Sequence, residues 1–199
     1  MFTDYAVLKA TLADWLDRTD LTDRIPDFIA LAEAKLNRDL RIRAMEARSV
    51  APVSGEYLAL PPGFMSARRL KALGNPPRTL QYMTPEVLDD TYRGNPGLVQ
   101  AFTVHRDEIQ FGPVPSETVQ VEMVYYQRIT PLGADNPSNW FLTHAPDVLL
   151  YGSLLEAAAF LADDPRMNVW KPLYENAITD LIRQDKRDRH SGSALVVRS

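Results

Sequence analysis

Apolar residues recur at helical spacing towards both ends of this chain and at strand spacing in its middle. Tyr5, Leu8, Leu12, Trp15 and Leu16 form one helical stripe, with Thr3 a candidate cap. Phe28, Ile29, Ala32, Leu36 and Leu40 form a second, which predicts a helix capped by Thr22 or Asp23 with Pro26 near its start. Towards the other end, Thr143 to Asp147 offers a start signal with Pro146 in the first turn. From Val148 to Ala162 only Gly152, Ser153 and Glu156 interrupt an apolar run. A helix that is hydrophobic on every side must be covered on every side. A bilayer needs about 20 apolar residues, so burial in protein is expected.

Asp163-Asp164-Pro165 ends that helix and starts the next, with Asp164 the expected N-cap. In the last helix Trp170, Tyr174, Ala177, Ile178, Leu181 and Ile182 share one face, and Pro172 lies in the first turns or kinks it. Beyond Ile182 the run RQDKRDRH has no apolar residue. Ser191-Gly192-Ser193 is a flexible break, and Ala194-Leu195-Val196-Val197 after it is apolar and β-prone, unusual for a free terminus.

Between Ser49 and Ile129 prolines and glycines divide the chain into short pieces of β character. Glu56 to Leu60 reads as a strand ending at Pro61-Pro62-Gly63. Arg68 to Leu73 and Thr79 to Tyr82 are strands about the turn Gly74-Asn75-Pro76-Pro77, and Thr84 caps a short helix through Leu88. The clearest hairpin joins Ala101–Val104 to Glu108–Phe111 across His105-Arg106-Asp107. In Thr118 to Tyr126, Val119, Val121, Met123 and Tyr125 share one face and Gln120, Glu122, Val124 and Tyr126 the other.

The fold class is therefore α+β: a helical bundle formed by N- and C-terminal helices, with an inserted, mainly antiparallel β module. The expected segments are a helical pair at 1–48, the β-rich insertion at 49–130, helices completing the bundle at 131–190 and an extended tail at 191–199. Composition changes this little. The 199 residues are 45% hydrophobic and 24% charged, as in ordinary folded proteins, and the net charge of −4 does not advertise nucleic acid. No cysteine is present, which removes disulfides, thiolate nucleophiles and cysteine-based metal sites. The N-terminus lacks the basic region and apolar core of a signal peptide, so folding in a cytoplasm is expected.

Candidate chemistry is sparse. His105, His144 and His190 have no local set of convergent ligands, so no metal site is expected. The pairs Asp89-Asp90, Asp107-Glu108 and Asp163-Asp164 each suit a helix end or turn, and no nucleophile elbow, phosphate loop or dinucleotide fingerprint occurs. No catalytic residue, no cofactor and no enzyme activity are expected; a hydrolase would need convergent carboxylates in an apolar pocket. Two basic clusters remain. Arg41 and Arg43, with Arg38 and Arg48, lie where the second helix ends; Arg183, Lys186, Arg187 and Arg189 end the last helix among Asp180, Asp185 and Asp188. They read as charge placed well at helix C-termini, or as docking points for an acidic partner or phosphate backbone. The second option supports an alternative function, a DNA-binding module used in packaging or regulation, although the interleaved acids weaken it. Leu150, Tyr151, Leu154, Leu155, Trp170 and Tyr174 are expected to pack in the core or against another subunit.

The segments YLALPPGFMSARRLKALGNPPRTLQYMTPEVLDD, FTVHRDEIQFGPVP, VQVEMVYYQRITPL and NWFLTHAPDVLLYGSLLEAAAFLADDPRMNVWKPLYENAITDL, taken in series with the N-terminal helical pair, resemble the head-to-tail adaptor (connector) proteins of tailed bacteriophages and gene transfer agents. The resemblance implies a structural virion protein that forms a ring, usually of twelve copies, beneath the portal. It implies a neck location between capsid and tail after assembly in the host cytoplasm, with no membrane partner. Such a ring extends the DNA channel, passes DNA without specific binding and offers a platform to a tail or stopper protein. Residues 194–197 then read as a docking segment that orders on the portal or an adjacent subunit.

Overall fold

The computed structural model describes residues 3–92, 94–161 and 165–190. Helix α1 spans Tyr5–Leu16, and its cap is Asp4 rather than Thr3: Asp4 is extended, and its carboxylate accepts the Val7 N–H at 2.9 Å. Leu8, Leu12 and Leu16 are buried, while Trp15 is 43% exposed. Helix α2, Ile25–Asp39, has no side-chain cap from Thr22 or Asp23. A 3₁₀ turn at Thr22–Arg24 leads into it instead, and the Thr22 hydroxyl donates backwards to Thr19 O at 2.9 Å. Backbone continuity replaces the cap, since Arg24 and Ile25 N–H both donate to Leu21 O.

The strands follow: β1 (Glu46–Val53), β2 (Tyr57–Ala59), β3 (Phe64–Ala72), β4 (Arg78–Thr79) and β5 (Gln81–Tyr82). After helix α3 (Pro85–Tyr92) come β6 (Pro96–Gly97), β7 (Ala101–Val104), β8 (Glu108–Gly112), β9 (Val114–Pro115) and β10 (Val119–Gln127). One sheet has the order β1-β10-β3-β4, a second β2-β8-β7-β5, and β6 with β9 forms a small third. Pairing is antiparallel except for β5 with β7 and β6 with β9. The two larger sheets share one core, in which Leu70, Val121 and Met123 meet Phe102, Ile109 and Phe111. The expected alternation along β10 is present, with Val121, Met123 and Tyr125 buried. The single strand expected at Thr79 to Tyr82 is instead broken at Leu80 into β4 and β5, which join different sheets. Leu80 is buried and its N–H donates to Leu70 O, so the chain crosses between sheets at the residue that fills the core. Gly112 is required by close approach: a Cβ there would stand 2.7 Å from the Tyr92 ring and 2.9 Å from a Leu88 methyl.

Three helices complete the chain: α4 (Trp140–His144), α5 (Pro146–Phe160) and α6 (Met167–His190). The chain divides into two units, Met1–Ala44 with Ile129–Ser199, and Met45–Arg128. Within the helical unit α5 packs against α1, α2, α4 and α6, which explains an apolar surface on nearly all sides. Gly152 allows the closest approach: a Cβ on it would meet the Tyr174 ring at 3.2 Å and Ala32 at 3.4 Å.

Two polar residues interrupt the apolar stripe of α2. Glu33 and Asn37 are 2% and 4% exposed, and both reach the segment that follows β10. Asn37 Nδ2 donates to Ile129 O at 3.2 Å while its Oδ1 accepts Ile129 N–H at 2.9 Å. The Glu33 carboxylate accepts Leu132 N–H at 3.0 Å and Asn139 Nδ2–H at 2.6 Å. Asn139 also caps α4 by accepting Leu142 N–H at 3.1 Å. Burial raises the Glu33 pKa above the ordinary 4.5, against the lowering effect of these donors.

Two outcomes are expected. Asn37→Ala orphans two buried backbone groups of Ile129 and should cost about 1–3 kcal/mol for each in denaturant unfolding. For Glu33, the folded protein keeps a proton that the unfolded chain has lost. Its stabilising contribution is therefore complete below pH 4.5 and is lost as pH rises through the folded value. Unfolding of the wild type and of Glu33→Gln from about pH 4 to about pH 7 should show their difference moving in favour of Glu33→Gln. Parallel pH profiles would contradict it.

Candidate assembly surfaces

The two basic clusters meet at the ends of α2 and α6. Arg41 folds back on the α2 terminus, its Nη1 donating to the carbonyls of Asn37 (3.2 Å), Arg38 (3.1 Å) and Leu40 (2.6 Å). This is cationic capping of a helix C-terminus. Asp185 joins the clusters: it accepts the Arg43 backbone N–H at 2.7 Å and Arg189 Nε–H at 2.7 Å. Arg189 also donates to Arg41 O at 3.4 Å. Arg183 pairs with Asp180 at 2.8 Å one turn away. Lys186, Arg187 and the Arg43 side chain remain exposed. Arg38 pairs with Asp39 at 3.3 Å. Arg48 belongs to the β unit, where it and Arg69 flank Glu122 at 2.6 and 3.3 Å, and the Arg48 hydrogen bond holds that carboxyl below its usual range.

Beside Asp185 lies a groove of about 430 Å³, lined by Ile42, Arg43, Trp140, His144 and Leu181 among others. Trp140 and His144 stack along one wall, with ring centroids 5.1 Å apart and planes at 9°. The remaining packing candidates separate by depth. Leu150, Leu154 and Trp170 are buried, whereas Tyr151, Leu155 and Tyr174 are half-buried. Tyr151 meets the exposed Trp15 edge-on at 6.0 Å. The Arg166 guanidinium lies 5.0 Å over the Trp170 ring and donates to Trp15 O and Leu16 O at 3.1 Å, which closes the end of α1. Burial, followed by the charges of Asp39 and Glu156, pushes the Tyr174 pKa up to about 12. Ala194, Leu195, Val196 and Val197 lie outside the described residues, as does the expected cap Asp164.

Among the described residues, one histidine and two acids meet around a single amide. Gln110, buried in the β unit, donates from Nε2 to Glu56 and Asp89 at 2.8 Å each, so its Oε1 accepts from His105 Nε2 at 2.8 Å. An amide thus bridges the two carboxylates. Among the described residues no group of three His, Asp or Glu side chains is placed to hold a metal ion. No helix of the described residues is long and apolar enough to cross a membrane.

The sequence reading missed Glu33, Asn37 and Asp185 as organising residues. Their signal was present: a polar pair four residues apart within an apolar stripe, and an aspartate one turn before Arg189.

At the ends of α2 and α6, Arg41, Asp185 and Arg189 are spent on internal joints. The chain belongs to the SU10 adaptor protein family, whose model matches residues 3–198. The resemblance to phage adaptors is thereby borne out, and the protein is a structural component of the virion. A comparison with curated proteins found no match.

The joint at Asp185 gives a direct prediction. Asp185→Ala removes charge-assisted hydrogen bonds of about 1.5–3 kcal/mol. Amide exchange at Arg43 should become at least tenfold faster, as read by NMR; an unchanged rate would show the joint to be incidental.

Proposed function

We propose that this protein forms the ring-shaped head-to-tail adaptor beneath the portal of a tailed phage or gene transfer agent. In this reading it extends the DNA channel and provides the platform for a downstream tail or stopper protein. Its partners are the portal, neighbouring copies in a dodecamer, and DNA that passes without specific binding. Its place is the neck of the virion, after assembly in the host cytoplasm. The observation that carries the reading is a family match that runs through the helices, the β unit and the C-terminal tail alike.

Two features support it. The helical unit builds a complete core of its own and still exposes Leu31, Phe160 and Val169, each more than half accessible. Such side chains suit contacts between copies. The alternative as a DNA-binding module loses ground because Arg41, Arg183 and Arg189 are committed to carbonyls and aspartates. A cation already neutralised releases less counterion from a phosphate backbone.

The test is the solution mass of the purified protein, alone and mixed with its portal, followed by electron microscopy of any large species. A closed ring, free or formed only on the portal, is the expected result. A monomer indifferent to portal, with duplex binding that falls steeply with salt, would replace this reading with the DNA-binding one.

A further inference from the structure

The β unit is closed unevenly. β1 is an outermost strand of the first sheet and β2 of the second, but β1 runs for 8 residues and β2 for only 3. The core-facing residues of β1 are small: Ser49 and Ala51 precede Val53 on that face and stay half-buried. Where they fall short, a cleft of about 140 Å³ opens beside β1 and β2 and reaches Leu58, Ala59, Phe111 and Met123.

From Arg48 to Pro52 the outer edge of β1 presents backbone groups with no partner among the described residues. Leu73 N–H donates to Gln120 O at 2.7 Å, so the backbone polar groups of Gln120 point towards β3. Pro52, opposite Gln120, is therefore in a wide pair, with its missing N–H turned outwards. The same alternation turns the N–H and C=O groups of Arg48 and Val50 outwards. No hydrogen bond between described residues ends on those groups. A free edge of this kind is a template for another strand. When an extended segment adds to such an edge, the backbone supplies affinity and pockets at alternate positions supply specificity.

We propose that the edge of β1 and the cleft behind it receive residues 194–197 of a second copy of this chain as an added β-strand. This rests on the ring-forming reading above. The occupant follows from chemistry and reach. In an extended Ala194-Leu195-Val196-Val197, Leu195 and Val197 share one face and Val196 takes the other. Leu195 and Val197 enter the cleft left by Ser49 and Ala51, while Val196 lies beside Val50 on the exposed face. α6 ends at His190, and the 9 residues from Ser191 to Ser199 follow it through a Ser-Gly-Ser break. Fully extended they reach about 30 Å. A chain that carries both a donor strand and an acceptor edge makes a heterologous contact, which repeats from copy to copy and can close into a ring.

The 199-residue chain is suited to a cross-linking test because it contains no cysteine. A Val50→Cys variant is mixed with a Val196→Cys variant under mild oxidation. A disulfide-linked heterodimer should form at least tenfold faster than between Val196→Cys and Val7→Cys, whose thiol is exposed on α1. Val50→Pro lacks one outward N–H but keeps the β1–β10 ladder, so it should weaken self-association at least tenfold in sedimentation. Rings that form without the preferred cross-link overturn the strand addition and leave the adaptor reading intact. A cross-link seen only within single chains that carry both cysteines overturns the second copy as donor. The preferred cross-link without a closed ring upholds the strand addition and sinks the ring.

Discussion

The helical unit depends on a buried polar contact between α2 and the chain that returns after β10. Asn37 pairs with both backbone groups of Ile129, as a neighbouring strand would, and Glu33 gathers the Leu132 N–H and the capping residue Asn139. An apolar stripe alone leaves a helix free to rotate or slide by a turn at small cost. A buried carboxylate and amide do not, because few placements satisfy all their bonds. The gain is in uniqueness more than in free energy, since taking the Glu33 charge out of water offsets much of what its hydrogen bonds return. With α2 fixed in this way, α5 has a defined surface to cover, and α6 follows where Gly152 admits the Tyr174 ring.

Each unit has its own core, and this frees the rest of the surface for assembly. Of the charged residues that suggested docking, Arg41 and Arg189 are absorbed in a joint between the ends of α2 and α6, with Asp185 at its centre, while Lys186, Arg187 and the Arg43 side chain stay exposed. The family membership makes sense of a molecule with many joints and an open strand edge.

Much of this was legible in the sequence. The periodicities of α1, α2, α5 and α6 placed the helices, and the hairpin of β7 with β8 and the alternation of β10 placed the centre of the β unit. What stayed hidden has physical causes. β1 escaped notice because Ser49 and Ala51 face the core, so the usual large residue at every second position is missing. β4 and β5 looked like one strand because Leu80 fits either a continuous run or a crossing between sheets. Thr3 and Asp4 are both good caps, and only the backbone decides between them. The joint at Asp185 links residues 142 positions apart, a distance that no local pattern can report.

The placement of the β unit also sets an order of events on the ribosome. The unit Met45–Arg128 is continuous in sequence and can be finished as soon as it emerges. The helical unit cannot. Glu33 and Asn37 wait for partners 92 to 106 residues downstream, and the end of α1 waits for Arg166. At about 5–20 residues per second, that delay is roughly 5–20 s. Throughout it, α1 and α2, which carry Leu8, Leu12, Ile29 and Leu36, have only each other and lack α5, against which both pack in the finished unit. The helical unit is translated in two instalments, and the cell has to shelter the first until the second arrives.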